Sequence, residues 1–364
     1  MNRPTHPTGL RAEETEGTEE TKETEERIGP EVPGEEEVSE PSPPAVERGF
    51  LRPRTLISFA IAFAVLIFFV RGVDLDFAEI WARIRASNLA LLLLATVVYY
   101  QIFIGRALRW RVLLENVGYS RADGRPMPSV LGLAEIIYLS FFTNCVVPAR
   151  LGDAYRGYML KRTAGVSFTI TLGTILAERL IDLAVLAGMM ATAALVTFRG
   201  TLPDEANRAL VGGLVLTGVG LAGLVAMPRL RPLVERLLPE RLHHHYAGLE
   251  SGILGSFRRI PLLLALSVFN WLLEGLTLYL VAVAIGAPVS VGAAVVVALV
   301  ASLLSTIPFT PAGLGVAEAG IVLLLTQLGI EKNAAGAIGL LDRVITYWSI
   351  VVLGAIVYVV SRKK

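Results

Sequence analysis

The stretch VVPARLGDAYR at residues 146–156 has a second, shortened version later in the chain, PAGLGVAE at residues 311–318. Pro148 of the first aligns with Pro311 of the second, an offset of 163 positions, and five identities support that register. An acid–arginine pair follows each copy at nearly the same distance, Glu178-Arg179 in the first half and Asp342-Arg343 in the second. The two landmarks together indicate an internal duplication.

The composition places the chain in a membrane. Its 364 residues are 54% hydrophobic with a mean hydropathy of +0.60, and the apolar residues fall in long runs. Some of these runs reach the roughly 20 residues that a helix needs to cross the hydrocarbon core. The sequence therefore predicts an all-α, polytopic helical membrane protein.

The charges are distributed unevenly along the chain. Residues 1–48 hold 14 glutamates, no aspartate and five basic residues, with little to bury, and they predict a disordered acidic tail. The remaining segment, 49–364, is predicted to be one transmembrane domain with ten more basic than acidic residues. Such a body suits an anionic lipid surface, although basic loops are also ordinary in membrane proteins.

Loop charge predicts six full spans and two re-entrant hairpins, with both termini cytoplasmic and the protein in the plasma membrane. The spans form two repeats of opposite orientation, about 88–227 and 260–360, as in many transporters. Eight complete spans would also place both termini inside, and this alternative stays open. Proline and glycine are expected to turn the hairpins, and the residues concerned are Pro148, Gly152, Pro308, Pro311, Gly313 and Gly315.

Two basic segments flank the predicted spans. Arg106, Arg109 and Arg111 follow the span at about 88–104, and they indicate either a cytoplasmic anchor or a site for a lipid phosphate. Residues 228–259 carry six arginines and are predicted to form a cytoplasmic loop. The run His243–His245 lies in this segment without the spacing of a known metal site, so no metal site is predicted.

Charged residues recur inside the apolar runs. Placing one at a helix centre costs about 2.5–3.5 kcal/mol on insertion scales, so each should face a partner or a wet cavity. We expect Arg179 to pair with Asp182 and Arg343 to pair with Glu178 of the other half. Purely structural ion pairs between the repeats are the alternative. The network comprises Glu178, Arg179, Asp182, Glu274, Glu318, Asp342 and Arg343.

A functional interpretation places both hairpin tips near the middle of the membrane, around a polar cavity. Its amides and guanidinium groups would bind a phosphate-bearing headgroup through charge-assisted hydrogen bonds. Glu178 and Glu318 would supply proton coupling if burial favours their protonated forms. The residues predicted to contact the headgroup are Arg106, Arg109, Asn144, Arg150, Asp153 and Arg156.

The sequence motifs argue against an enzyme. The sequence lacks HExxH, GxSxG and a Walker-type glycine loop with lysine. The predicted cytoplasmic loop is too short for a catalytic domain of ordinary size. We therefore expect no catalytic residues, no cofactor and no nucleic-acid partner; the expected partners are anionic membrane lipids and an enzyme of lipid or envelope synthesis.

Four motifs in order give the chain a family resemblance. They are RxxRWxxLL at residues 106–114, NxxxPxRxGDxxR at 144–156, ERxxD at 178–182 and PxxPxGxGxxE at 308–318. These motifs resemble the flippase-like membrane domain of lysylphosphatidylglycerol synthases of the MprF type, over about residues 55–360. Asp153 stands where glutamate is commoner in that family.

The resemblance implies a membrane protein that moves anionic lipids or lipid-linked precursors between leaflets, or helps to move them. Synthase members of the family carry a further C-terminal aminoacyl-transfer domain, whereas this sequence ends at Lys364 just after its last predicted span. No lysyl transfer by this chain alone is therefore expected. A non-transporting partner of a lipid, glycolipid or envelope enzyme is the second class of function.

Overall fold

A computed structural model describes residues 75–120, 127–147, 151–196, 204–305 and 311–361. Regular secondary structure in these ranges is helical throughout, which confirms the all-α prediction. The predicted acidic tail and the predicted first span at about 55–70 lie outside the described residues, as do Pro148, Arg150 and Pro308.

The described helices run in the following order: α1 (Phe77–Ala86), α2 (Leu89–Asn116), α3 (Val130–Val146), α4 (Leu151–Ala164), α5 (Phe168–Val196), α6 (Asp204–Leu237), α7 (Glu240–Ser256), α8 (Ile260–Ile285), α9 (Val291–Ser305), α10 (Val316–Gln327), α11 (Lys332–Arg343) and α12 (Ser349–Ser361). A 3₁₀ turn at Pro311–Gly313 precedes α10. A π-helical turn at Val344–Trp348 joins α11 to α12.

Four segments are long and apolar enough to cross a bilayer by length and composition. They are α2, residues Leu210–Leu237 of α6, α8, and the continuous helix Lys332–Val360. Helix α5 is 29 residues long but carries three charged residues near its middle. A polytopic helical membrane protein is therefore confirmed.

The helices repeat in the same order in the two halves. Each half has a long helix, two shorter helices joined at the proline–glycine motif, and a second long helix: α2 to α5, then α8 to α12. Within each motif the two short helices contact each other, and the long helices α2 and α8 pack together between the halves. The re-entrant path and the opposite orientations of the halves in a membrane stay predictions.

The prediction that residues 228–259 form a loop is wrong, and their cytoplasmic location stays a prediction. Helix α6 continues through Pro228 and Pro232, and α7 follows after a short break. Helix α7 packs on α5 with almost no space between the backbones, since a Cβ on Gly173 would lie 2.7 Å from the Cα of Gly252. Close approach through small residues is how membrane helices gain packing energy, and the six arginines obscured this signal.

The short helix α1 was not anticipated and docks on the start of α11. Asp76 caps α1 with its carboxylate, and its own N–H donates to Asn333 Oδ1 at 3.0 Å. Glu331 caps α11 and lies 3.1 Å from Arg83 of α1. Partial desolvation opposes ionisation of Glu331, but the N–H groups of Asn333 and Ala334 and the charge of Arg83 outweigh it and lower the pKa of this carboxyl.

Candidate functional site

Arg109 of α2 lies at the centre of a buried ion cluster. Its guanidinium donates to Glu178 Oε1 at 2.7 Å and to both oxygens of Asp182, one at 3.1 Å, on α5. A fourth bond, of 2.6 Å, goes to Ser267 Oγ on α8. The Arg109 and Glu178 side chains are 1% and 2% exposed, so this pair is buried; Arg109 Nε has no hydrogen-bond partner among the described residues.

A second arginine shares Glu178. Arg156 Nη2 of α4 lies 2.9 Å from Glu178 Oε2, and its guanidinium carbon lies 3.8 Å from the ring centroid of Trp110. Stacking on an indole face suits a weakly hydrated guanidinium. Two arginines therefore face two carboxylates, those of Glu178 and Asp182, and the charges of this cluster balance.

Each half also carries the same ion pair at the start of its second short helix. Asp153 in the first turn of α4 lies 3.1 Å from Arg179 of α5. Glu318 in the first turn of α10 lies 3.3 Å from Arg343 of α11. The duplication seen in the sequence therefore extends to a duplicated interaction that ties each short helix to the long helix that follows it.

Both predicted pairings were wrong. Arg179 pairs with Asp153 of α4, whereas Asp182 pairs with Arg109 of α2. Arg343 pairs with Glu318 of its own half, and Glu178 is taken by Arg109 and Arg156. The tightest buried pairs among the described residues therefore lie within the halves, not between them.

Glycine residues shape the turns in both copies of the proline–glycine motif, and in the first copy the residue is Gly152. A Cβ on Gly152 would lie 2.0 Å from the carbonyl oxygen of Ser140, and its N–H donates to Asn144 Oδ1 at 2.8 Å. The first hairpin can therefore close only with glycine there, and Asn144 is used in that closure.

The second turn uses left-handed backbone. Gly313 and Gly315 have φ values of +71° and +86°, a region that glycine enters without steric cost. Glu318 Oε2 accepts the N–H of Gly315 at 2.7 Å while its other oxygen faces Arg343, whose Nη2 also donates to the Gly313 carbonyl at 3.4 Å. One buried ion pair thus fixes the turn as well as the helix.

A looser polar group lies where α2 meets α8. Arg106 Nη2 is 3.9 Å from Glu274 Oε2, and its Nε has no hydrogen-bond partner among the described residues. Glu274 accepts a hydrogen bond from Ser302 of α9, and its side chain is 21% exposed. Arg106 itself is 8% exposed, so the interpretation of Arg106 and Arg109 as a surface anchor is wrong; the helix continues past both.

Asn270 of α8 belongs to the same polar group as Arg106 and Glu274. It is 3% exposed, and neither atom of its amide has a hydrogen-bond partner in the described part of the chain. It lies one turn before Glu274 on α8 and reaches α2 beside Gly105, where a Cβ would fall 2.1 Å from its Oδ1. We call Arg106, Asn270 and Glu274 the seam triad.

Asp342 of α11 lies near the triad without a tight partner. Its nearest described hydrogen-bond donor is the Thr346 hydroxyl at 3.3 Å, and it interacts electrostatically with Arg343, Glu274 and Glu318. The sequence singled out Asp342 and Glu274 but assigned neither a partner. No signal in the sequence pointed to Asn270, because one asparagine in an apolar helix is common.

Hydroxyl groups make most of the remaining polar contacts between the halves. Tyr347 OH donates to the Cys145 carbonyl at 2.9 Å, and Tyr99 OH donates to the Thr346 carbonyl at 3.1 Å. The 3₁₀ turn at Pro311–Gly313 also contacts α3, so the second turn reaches the first hairpin. The headgroup roles predicted for Arg109 and Arg156 stay predictions; their charges are already balanced, whereas Arg106 is loosely paired.

Comparison with known proteins gives this arrangement a family. Residues 55–354 match the family described as "Lysylphosphatidylglycerol synthase TM region". A UPF0104 membrane protein of Methanocaldococcus jannaschii is 33% identical over 225 residues, which cover 61% of this chain and 95% of the relative. A UPF0104 membrane protein of Methanothermobacter thermautotrophicus is 25% identical over 320 residues, covering 82% of this chain and 91% of that protein.

The fold and its buried charges define a polytopic helical membrane protein built from two similar halves. Within that class, the chain belongs to the lysylphosphatidylglycerol synthase transmembrane-region family. Glycosyltransferase AglD of Haloferax volcanii is also similar, at 23% identity over 335 residues, which cover 80% of this chain and 52% of AglD. The chain thus spans about half of that relative.

Proposed function

We propose that this protein translocates an anionic phospholipid or a lipid-linked precursor between the leaflets of the plasma membrane, or assists that translocation. The observation that carries the proposal is a set of charged side chains enclosed between helices that are long and apolar enough to cross a membrane, where the two halves meet. Holding so many charges in such helices costs free energy. A purely structural account explains the charge balance of the Arg109 cluster, but it leaves Arg106 only loosely paired and both amide atoms of Asn270 without a hydrogen-bond partner among the described residues.

The basic guanidinium at the seam selects the substrate class. Arg106 is loosely paired at 3.9 Å, and an arginine binds a phosphate oxyanion with two parallel hydrogen bonds more tightly than it binds a distant carboxylate. Membrane lipids with a phosphodiester and no compensating ammonium group, such as phosphatidylglycerol, are therefore the expected substrates. The protein's own contribution would be passage and selection rather than catalysis.

Reconstitution tests the proposal directly. The full chain is placed in liposomes with a trace of fluorescent phosphatidylglycerol, and dithionite reports the fraction of probe that reaches the outer leaflet. We expect the protected inner-leaflet fraction to fall well below the half seen in protein-free vesicles. Fluorescent phosphatidylcholine is the zwitterionic control, and a polyprenyl phosphate probe tests the precursor class. Protection that stays at one half for every lipid would refute the proposal.

A second function is supported by one specific observation, the similarity to AglD, which is named a glycosyltransferase and is about twice as long as the matched region. The membrane domain would then position a separate enzyme of lipid, glycolipid or envelope synthesis without transporting lipid. Purification from the native membrane distinguishes the two functions. Absence of lipid movement together with stoichiometric co-purification of such an enzyme would favour this second function.

A further inference from the structure

We propose that the seam triad of Arg106, Asn270 and Glu274 binds a phosphodiester headgroup in exchange for Glu274, so that each anion bound brings one proton onto that carboxylate. The proposal deepens the proposed function, because it names the site and its coupling ion and rests on lipid being the substrate. It moves the coupling role from Glu178 and Glu318, predicted from the sequence, to Glu274.

The contrast between two neighbouring arginines supports the choice of site. Arg109 makes bonds of 2.5–3.1 Å to Glu178, Asp182 and Ser267, and its charge is shared between two carboxylates. Arg106 lies one turn earlier on the same helix, and its Nη2 is 3.9 Å from the carboxylate of Glu274, with no shorter ion pair among the described residues. An incoming phosphate can therefore form short bonds to Arg106 without breaking short ones.

Asn270 gives an independent sign of a missing ligand. A buried amide that leaves both its donor and its acceptor unpaired costs free energy, and native structures rarely contain one. A headgroup offers what this amide lacks, since its phosphate oxygens accept from Nδ2 and a glycerol hydroxyl donates to Oδ1. Asn270 lies one turn from Glu274, with its oxygen directed at Gly105 next to Arg106.

Charge balance requires the proton. When phosphate takes Arg106, Glu274 loses its only cation within 4 Å among the described residues. An ionised carboxylate left unpaired in a low-dielectric site is unfavourable, so it binds a proton from water and returns it when the anion leaves. No bond other than this O–H bond forms or breaks. The Glu274 side chain is 21% exposed, so its carboxylate is not sealed inside the protein.

The other groups around Glu274 favour the same exchange. Helices α2, α5 and α11 present charged or titratable groups towards it, whereas α9 presents only the Ser302 hydroxyl. Two of these groups, Asp182 and Asp342, are carboxyls, so a further negative charge on Glu274 is disfavoured once a phosphate occupies Arg106. The groups that interact with Glu274 are Arg106 and Tyr99 of α2, Asp182 of α5, and Asp342 and Arg343 of α11.

Calorimetric titration of the full chain in detergent micelles tests the exchange. Soluble dihexanoyl phosphatidylglycerol is added between pH 5.5 and 8.5, in two buffers of different ionisation enthalpy, so that the heat difference counts protons. We expect uptake of up to one proton per lipid and an affinity that falls up to about tenfold per pH unit at the alkaline end. Dihexanoyl phosphatidylcholine should bind at least about tenfold more weakly.

Variants separate the roles of the two charges. Glu274→Gln, which mimics the protonated acid, should keep binding but lose both the proton uptake and the pH dependence. Arg106→Gln should lose binding at every pH, and Glu235→Gln, at a half-buried acid on α6, should behave as the wild type. Binding that is independent of pH in the wild type, or a pH dependence that survives in Glu274→Gln, would overturn the proposal.

The same proteins distinguish failure of this inference from failure of the proposed function. Proton-linked binding without lipid movement in liposomes would keep the site and refute transport. Lipid movement that is unaffected by Arg106→Gln and Glu274→Gln would keep transport and refute the site. Inorganic phosphate is titrated at pH 5.5 as a separate ligand; binding of phosphate with none of the lipid would refute the assignment to a headgroup.

Discussion

Removing the charge of Glu178 should strongly destabilise the protein, and the structure gives the size of the effect. Glu178 pairs with Arg109 at 2.7 Å and with Arg156 at 2.9 Å, and its side chain is 2% exposed. Glu178→Gln leaves two buried guanidinium groups facing one acid, Asp182. Breaking a buried pair in this way typically costs about 3–5 kcal/mol, because arginine cannot shed its proton to escape the penalty.

The free energy of unfolding in mixed micelles, measured by titration with SDS, provides the assay. Glu235→Gln is the matched control, because its pair with Arg231 is 2.8 Å long but 34–49% exposed and should be worth less than about 1 kcal/mol. The double variant Glu178→Gln, Arg156→Gln should recover part of the loss, since Arg109 keeps Asp182. A Glu178→Gln variant that loses less than about 1 kcal/mol would refute the claim that this cluster is desolvated.

Three further predictions concern the first turn, the duplicated ion pair and the cap of α11. Gly152→Ala should cost about 1–3 kcal/mol, because its Cβ would meet a main-chain carbonyl oxygen at 2.0 Å, whereas Gly188→Ala, with nothing within 4 Å, should be neutral or stabilising in the same assay. Arg343→Gln should destabilise more than Arg179→Gln, since its pair is 8–10% exposed rather than 22–26%; equal losses would contradict this ranking. The stabilisation from Glu331 is present above the unfolded carboxyl pKa of about 4.3 and is lost as pH falls through its lower folded pKa, so unfolding of Glu331→Gln should depend less on acid.

The sequence predicted much of the architecture because membrane helices leave a strong signal. Hydropathy predicted the apolar helices, and in each half the duplicated motif falls between two short helices. Helix α7 was missed because its six-arginine surroundings read as a loop, while its stabilising feature is a pair of small residues that pack on α5. Contact through glycine carries no hydropathy signal.

Ion pairing was harder to predict, for a reason visible in the repeat itself. Asp153 follows Pro148 by five residues, whereas Glu318 follows Pro311 by seven, because the second turn includes the 3₁₀ segment Pro311–Gly313. At the motif offset of 163 these acids do not align, so their shared role was hidden. Counting from the start of each helix aligns the two acids, since Asp153 is the third residue of α4 and Glu318 is the third residue of α10.

The distribution of the ion pairs has a mechanical consequence. The costly interactions bind each half to itself, so the halves can behave as two stiff bodies. Between them lie hydroxyl bonds such as Tyr347 to the Cys145 carbonyl, worth about 0.5–1.5 kcal/mol each, and the stretched Arg106–Glu274 pair. A relative motion of the halves would break these contacts and the 2.6 Å bond from Arg109 to Ser267, while the ion pairs inside each half stayed intact.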